Sequence, residues 1–318
     1  MPTTHLRLTG EALAEPLDLT RAGMPSEDSI HAVDSITPVP GGPTYQVLHT
    51  TEFDSYESSQ ATTAVARLLG QGSPAPAAIA DALRAVPKPV SESFAGTDRK
   101  AAKLSIGSGH VEQFADVRAL IATLPGEPAM IRHVPPITTV STSSRVTEEQ
   151  RNVHVVGFLY AASREADNDF HLIIGRNPSN LPETYMTMEV SGLPPATNAA
   201  FHALSAARRS FETFFGAHLP QLSYDYYHPP IPVIVEGSLF FDMTHAVGQA
   251  PGPPSLKSRM PTIWEVHPVT SITLGRPGLP ARESVTSAES FVSPQGAEHN
   301  ILHTTETDAY DPPQPAGA

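Results

Sequence analysis

"ETYMTMEVSGLPPATNAAFHALSAARRSFETFFG" (Glu183 to Gly216) decides the fold, because its apolar spacing changes period partway along. Up to Val190 the residues alternate. Met186, Met188 and Val190 point one way and Tyr185, Thr187 and Glu189 the other, which is the pattern of a strand. Beyond Asn198 the period is helical, and Phe201, Leu204, Ala207, Phe211 and Phe214 share one face. Asn198 is a natural cap for that helix and Gly216 a natural stop.

Upstream, "VHVVGFLYAASRE" (Val153 to Glu165) is apolar on both faces, and "DFHLIIGR" (Asp169 to Arg176) follows a polar turn as a second strand. Downstream, a Pro- and Tyr-rich link, "YDYYHPPIP" (Tyr224 to Pro232), leads to "VIVEGSLFFDMTH" (Val233 to His245) and, after a long loop, "TIWEVHPVTSITL" (Thr262 to Leu274). Three strands, a helix and two strands is the element order of an OB-fold. The expectation is therefore a mainly β protein: a five-stranded OB-like Greek-key barrel over residues 145–275. A five-stranded sheet with one helix on a single face is the alternative.

Around that domain the texture is loose. The 318 residues include 33 Pro and 21 Gly with only 17% charged, so long stretches bury too little apolar surface to offset the entropy of ordering them. Residues 1–58 and 276–318 read as flexible arms, and 59–97 as a linker. Within the linker, "SSQATTAVARLLGQG" and "AAIADALRAV" form at most marginal helices. Over 98–144, "GSGHVEQFADVRALIATLPG" (Gly107 to Gly126) reads as a helix capped by Ser108, with Phe114, Val117, Leu120, Ile121 and Leu124 packing on the barrel. Arg99, Lys100 and Lys103 just before it make the densest basic patch.

The formal charge of −13 disfavours non-specific nucleic-acid binding. Residues 145–275 hold 8 Arg/Lys against 12 Asp/Glu, which counts against a single-strand-binding OB face. The absence of cysteine excludes disulfides and thiolate chemistry. The apolar run "HVVGFLYAA" is about half of what a spanning helix needs, and no secretory signal is visible. A cytoplasmic protein away from membranes is expected.

Two short phrases repeat. "VLHTTEFDSYE" (Val47 to Glu57) returns as "ILHTTETDAYD" (Ile301 to Asp311) at an offset of 254. Leu48, His49, Thr50, Thr51, Glu52, Asp54 and Tyr56 match Leu302, His303, Thr304, Thr305, Glu306, Asp308 and Tyr310. Such a pair reads first as twin docking motifs for a protein partner. Pairing as edge strands and duplication without function are the alternatives.

The candidate chemistry lies at strand ends. Asp169 and His171 open strand two, Asp242 and His245 close strand four, and Glu265 and His267 open strand five on a common face. Imidazoles with carboxylates suit a divalent transition metal or acid–base work. No nucleophile elbow, phosphate loop or HExxH motif is present, and no organic cofactor is expected.

The stretch from Asp167 to Pro195 resembles the thermonuclease group of OB-fold proteins, through Asp167-Asn168-Asp169 entering a strand. The group's later arginine and Asp-x-Pro-Glu ending are replaced here by Met186 or Met188 and by Ser191–Pro195. The resemblance implies the barrel and not the nuclease activity. Asp98 to Leu274 is also similar to uncharacterised bacterial proteins, with no mechanism implied. The leading functional expectation is a non-enzymatic adaptor with docking arms; a metal-dependent hydrolase is second and single-strand binding third.

Overall fold

The computed structural model describes residues 23–54, 78, 92–247, 251–275, 287–292 and 298–303. The chain divides into two units at Arg276/Pro277.

The first unit is mainly β, with one eight-stranded mixed sheet and few helices. In chain order its elements are β1 (Ile30–Ile36), β2 (Tyr45–Thr50), α1 (Lys100–Lys103), β3 (Val111–Phe114), α2 (Val117–Ile121), α3 (Glu127–Ile131), β4 (Asn152–Arg164), β5 (Phe170–Gly175), β6 (Tyr185–Val190), α4 (Phe201–Phe215), β7 (Asp225–Phe241) and β8 (Trp264–Leu274). The sheet runs β1-β2-β7-β8-β6-β5-β4-β3, and β7 also pairs with β4. The ladder β4-β5-β6-β8-β7 therefore returns to β4. All pairings are antiparallel except β3 with β4 and β6 with β8.

The period-2 strands bury both faces because two apolar clusters use opposite parities. Met186, Met188 and Val190 join Val155, Leu172, Val235, Trp264 and Val266 in the main core, with Phe211 and Phe215 of α4. Tyr185 and Ile173 join Leu48, Tyr160, Tyr224, Tyr226 and Leu256 in a second cluster. Leu204, Ala207 and Phe211 of α4 are buried as its periodicity requires, whereas Phe201 and Phe214 stay half-buried. Gly216 ends the helix with φ 55°, in the left-handed region that favours glycine. Asn198 Oδ1 accepts the Ala200 amide at 2.8 Å. Gly237 is dictated by space: a Cβ there would lie 2.4 Å from the Pro268 carbonyl oxygen.

Several expectations need correction. Residues 23–54 are not a free arm, because β2 pairs with β7 from Gln46↔His228 to His49↔Asp225 and β1 pairs on β2. From Asp225 on, the link is the first half of β7 rather than a loop; Pro229 and Pro230 sit at the register shift opposite Leu159 and Ala161, and Pro232 pairs with Phe158. The single helix expected at 108–124 is instead β3 followed by α2. Val111–Phe114 finds backbone partners on β4, and Asp116, not Ser108, caps α2 by accepting the Ala119 amide at 2.8 Å. The expected stripe still packs on the core, with Val117 and Leu120 buried and Phe114, Ile121 and Leu124 partly so. Of the basic patch, Arg99 and Lys103 are buried, at 2% and 8% exposed, while Lys100 faces solvent. The helices expected in 59–97 lie outside the described residues.

The second unit contains one hairpin, β9 (Ser287–Val292) with β10 (Glu298–His303). It explains the repeat further than the short phrase does. In the first hairpin Val33, Asp34 and Ser35 pair with Leu48, Val47 and Gln46. In the second, Ala288, Glu289 and Ser290 pair with Leu302, Ile301 and Asn300. The duplicated phrase thus forms the second strand of an antiparallel hairpin in both copies, with the pairing shifted by one residue between them: Leu48 pairs 15 residues back and Leu302 pairs 14 back.

Candidate metal centre

The site follows from strand pairing. His171 on β5 is the register partner of Glu189 on β6, and Thr187 on β6 is the partner of Glu265 on β8. Period-2 geometry sends these residues, with His267, to the face opposite the main core. A turn precedes β5, with Asn168 at φ 79°, a conformation asparagine tolerates. That turn delivers Glu165, Asp167 and Asp169. The segment from Gly96 to Lys103 covers the row, so it is buried between layers instead of facing water.

The distances are short. His267 Nδ1 lies 3.0 Å from Glu189 Oε2 and 3.6 Å from Glu265 Oε2, and its Nε2 lies 3.3 Å from Asp169 Oδ2. His171 Nδ1 meets Glu165 Oε1 and lies 3.7 Å from Glu189 Oε1. Asp242 and His245, beyond β7, are 3.6 Å apart and gather with Glu265. Three groups, Glu165–His171–Glu189, Asp169–Glu189–His267 and Asp242–His245–Glu265, each bring their ligand atoms within 4.8 Å of one another. Asp169 Oδ1 accepts the Gly192 amide at 2.5 Å, but its Oδ2 accepts no hydrogen bond, nor does either oxygen of Glu265. Asp169, Glu265 and His267 are fully buried and Glu189 nearly so.

Unmatched burial of this kind shifts titration. Burial, reinforced by Asp167, pushes the Asp169 carboxyl up to about 7, and burial with the neighbouring Glu189 charge pushes Glu265 up to about 8. Burial also lifts Glu165 well above the usual range. Although burial opposes ionisation at Glu189, the charges of His267 and Lys103 hold it well below. His267 is raised despite its burial by Glu189, Asp169 and Glu265. Lys103 Nζ lies 3.7 Å from Asp167 Oδ2. A cavity of about 380 Å³ opens onto this cluster, lined by Asp54, Arg99, Lys103, Glu165, Asp167, Glu189, Phe240, Asp242 and His245 among others.

All six residues singled out in sequence, Asp169, His171, Asp242, His245, Glu265 and His267, thus border one buried centre. They gather across the face of β5, β6 and β8 beneath Gly96–Lys103, not only at a strand 4–5 loop mouth. Glu189, Glu165 and Lys103 were missed. The parity of Glu189, opposite to Met188 and Val190, was the available signal; a covering layer from residues 96–103 had none.

The first repeat copy is structural in its placement. Leu48 is buried in the second cluster. His49 Nδ1 is 2.7 Å from Asp225 and its Nε2 3.0 Å from Asp34. The Thr50 hydroxyl donates to the Tyr224 carbonyl at 2.7 Å, and the Thr51 amide to the Ser29 carbonyl at 2.9 Å. Glu52 accepts the Tyr226 hydroxyl at 2.9 Å, and Asp54 the Gly252 amide at 2.7 Å. In the second copy Leu302 and His303 belong to β10, while Tyr56 and Thr304, Thr305, Glu306, Asp308 and Tyr310 lie outside the described residues.

Comparison with protein-family models, curated proteins and solved structures returns no match for this chain. Among the described residues no helix is long and apolar enough to cross a membrane.

Proposed function

We propose that this protein is a metal-dependent hydrolase built on an OB-like five-stranded barrel. The barrel reading is supported by the ladder β4-β5-β6-β8-β7 returning to β4, by the parallel contact of β6 with β8, and by α4 lying between the third and fourth of these strands. The same order supports the likeness to the thermonuclease group in topology, with Asp169 of the matching Asp-x-Asp turn inside the centre.

One observation carries the functional reading. Glu265 and His267, both fully buried, hold polar atoms without hydrogen-bond partners beside Glu189 and a cavity large enough for a small substrate. Buried carboxylates need a compensating cation or a proton, and His with carboxylate oxygens is a donor set for zinc, manganese or iron. A bound divalent ion would supply an activated water or polarise a carbonyl or phosphoryl oxygen. Asp54, Asp167 and Asp242 along the cavity repel polyphosphate, which favours a small neutral or cationic ester or amide over nucleic acid. The adaptor reading loses support at its first motif, because Leu48, Thr50, Glu52 and Asp54 are all buried.

The test is a panel of chromogenic esters, amides and phosphoesters with protein loaded with zinc or manganese, before and after chelation. Hydrolysis that chelation abolishes, divalent ion restores and His267→Ala lacks is expected. A protein that retains no divalent ion and turns over none of the panel would sink the proposal.

A further inference from the structure

We infer that the centre holds two divalent cations bridged by Glu189, one on each of its carboxylate oxygens. This rests on the metal-centre reading above.

The two oxygens of Glu189 face different imidazoles. Oε1 is 3.7 Å from His171 Nδ1, which also meets Glu165 Oε1; Oε2 is 3.0 Å from His267 Nδ1, itself 3.6 Å from Glu265 Oε2. Metal–ligand bonds of about 2.0–2.2 Å place adjacent ligand atoms about 3.0–3.6 Å apart. The two His267 separations fall in that range and the Glu189–His171 separation lies about 0.1 Å beyond it, whereas Glu165 meets His171 Nδ1 directly. Asp169 Oδ2 lies 3.3 Å from the other ring nitrogen of His267, Nε2.

Two of the ligand groups share Glu189: Glu165–His171–Glu189 and Asp169–Glu189–His267 each bring their ligand atoms within 4.8 Å of one another, so this one carboxylate borders both positions. Glu165, with its side chain 18% exposed, and the adjoining cavity provide the way in for ions and water.

The chain has no cysteine, so thiolates cannot contribute to bound metal. The full-length protein is loaded with manganese, freed of excess by gel filtration, and measured for manganese per chain and by electron paramagnetic resonance. Two ions per chain, with the halved hyperfine spacing of a coupled pair, are expected, and His171→Ala should keep one uncoupled ion. One uncoupled ion per chain in the wild type would overturn the bridged pair while leaving the metal centre standing. No retained ion would overturn both, and His171→Ala retaining a coupled pair would overturn the ligand assignment.

Discussion

Replacing Leu48 with Ala separates a structural strand from a docking motif. Leu48 is fully buried and packs with Tyr160, Ile173, Tyr185, Tyr224, Tyr226 and Leu256. It is held on both sides, by Val33 of β1 and Tyr226 of β7, so the surroundings have little freedom to collapse into the space left. Truncation of such a leucine costs about 2–5 kcal/mol, the lost transfer energy plus a cavity. Taking about 3 kcal/mol, and about 2–4 °C per kcal/mol for a unit of this size, Tm should fall by about 6–12 °C. Urea denaturation followed by tryptophan fluorescence reads the same loss, since Trp264 is the one tryptophan in the chain and lies in the core. Val39→Ala is the control: Val39 is 56% exposed in the turn between β1 and β2 and should shift stability by less than about 0.5 kcal/mol. A Leu48→Ala protein melting with the wild type would mean that the leucine is displayed rather than packed, and the docking reading would return.

Three further outcomes follow from the packing. Burial pulls the His49 ring down, but Asp225 and Asp34 more than offset it and lift it from 6.5 to about 9. A group raised in the folded state contributes its stability in full below pH 6.5 and loses it as pH rises through 9. The shift corresponds to at most about 3 kcal/mol, and solvent at the ring with the cost of burying Asp225, itself raised by burial, cuts this to about 1–2 kcal/mol. His49→Gln should therefore flatten the stability profile between pH 6.5 and 9; parallel profiles would refute the pairing. Glu149, with no exposed surface, accepts both Arg99 nitrogens at 2.6 and 2.8 Å and the Val146 and Phe241 amides, each at 2.9 Å. Glu149→Gln strands the buried guanidinium and should cost about 3–5 kcal/mol in urea denaturation, where a loss under about 1 kcal/mol would contradict the buried pair. Gly237→Ala drives a methyl into the Pro268 carbonyl and the Val269 Cα, backbone atoms that cannot step aside, and should lower stability by about 1–3 kcal/mol; an unchanged melt would show β7 and β8 farther apart.

The legible parts of the fold were those whose signal is local. Alternation in Tyr185–Val190 and the helical stripe through Phe211 reflect which face meets the core, and both are written within a few residues. The pairing of β2 with β7 was not legible, because Leu48 finds Tyr226 only after the chain has returned from far away, and "VLHTT" suits an edge strand as well as a binding motif. The prolines of β7 concealed a strand that can spare those amides. At the site, parity announced that Glu265 and His267 share a face, and the same rule applied to Glu189 would have added it. What sequence could not supply was the cover: Arg99 and Lys103 look like a surface patch until Glu149 and Asp167 are seen holding them inside.

The central claim is that Glu189 and its neighbours hold metal. The direct measurement is an anomalous difference map from crystals of the full-length protein grown with zinc. The account predicts anomalous density within about 2.2 Å of His267 Nδ1 and Glu189 Oε2, with a second peak beside Glu189 Oε1 and His171. A map without anomalous density there, with His267 hydrogen-bonded directly to Glu189, would contradict it and leave the cluster as a charge network holding two layers together.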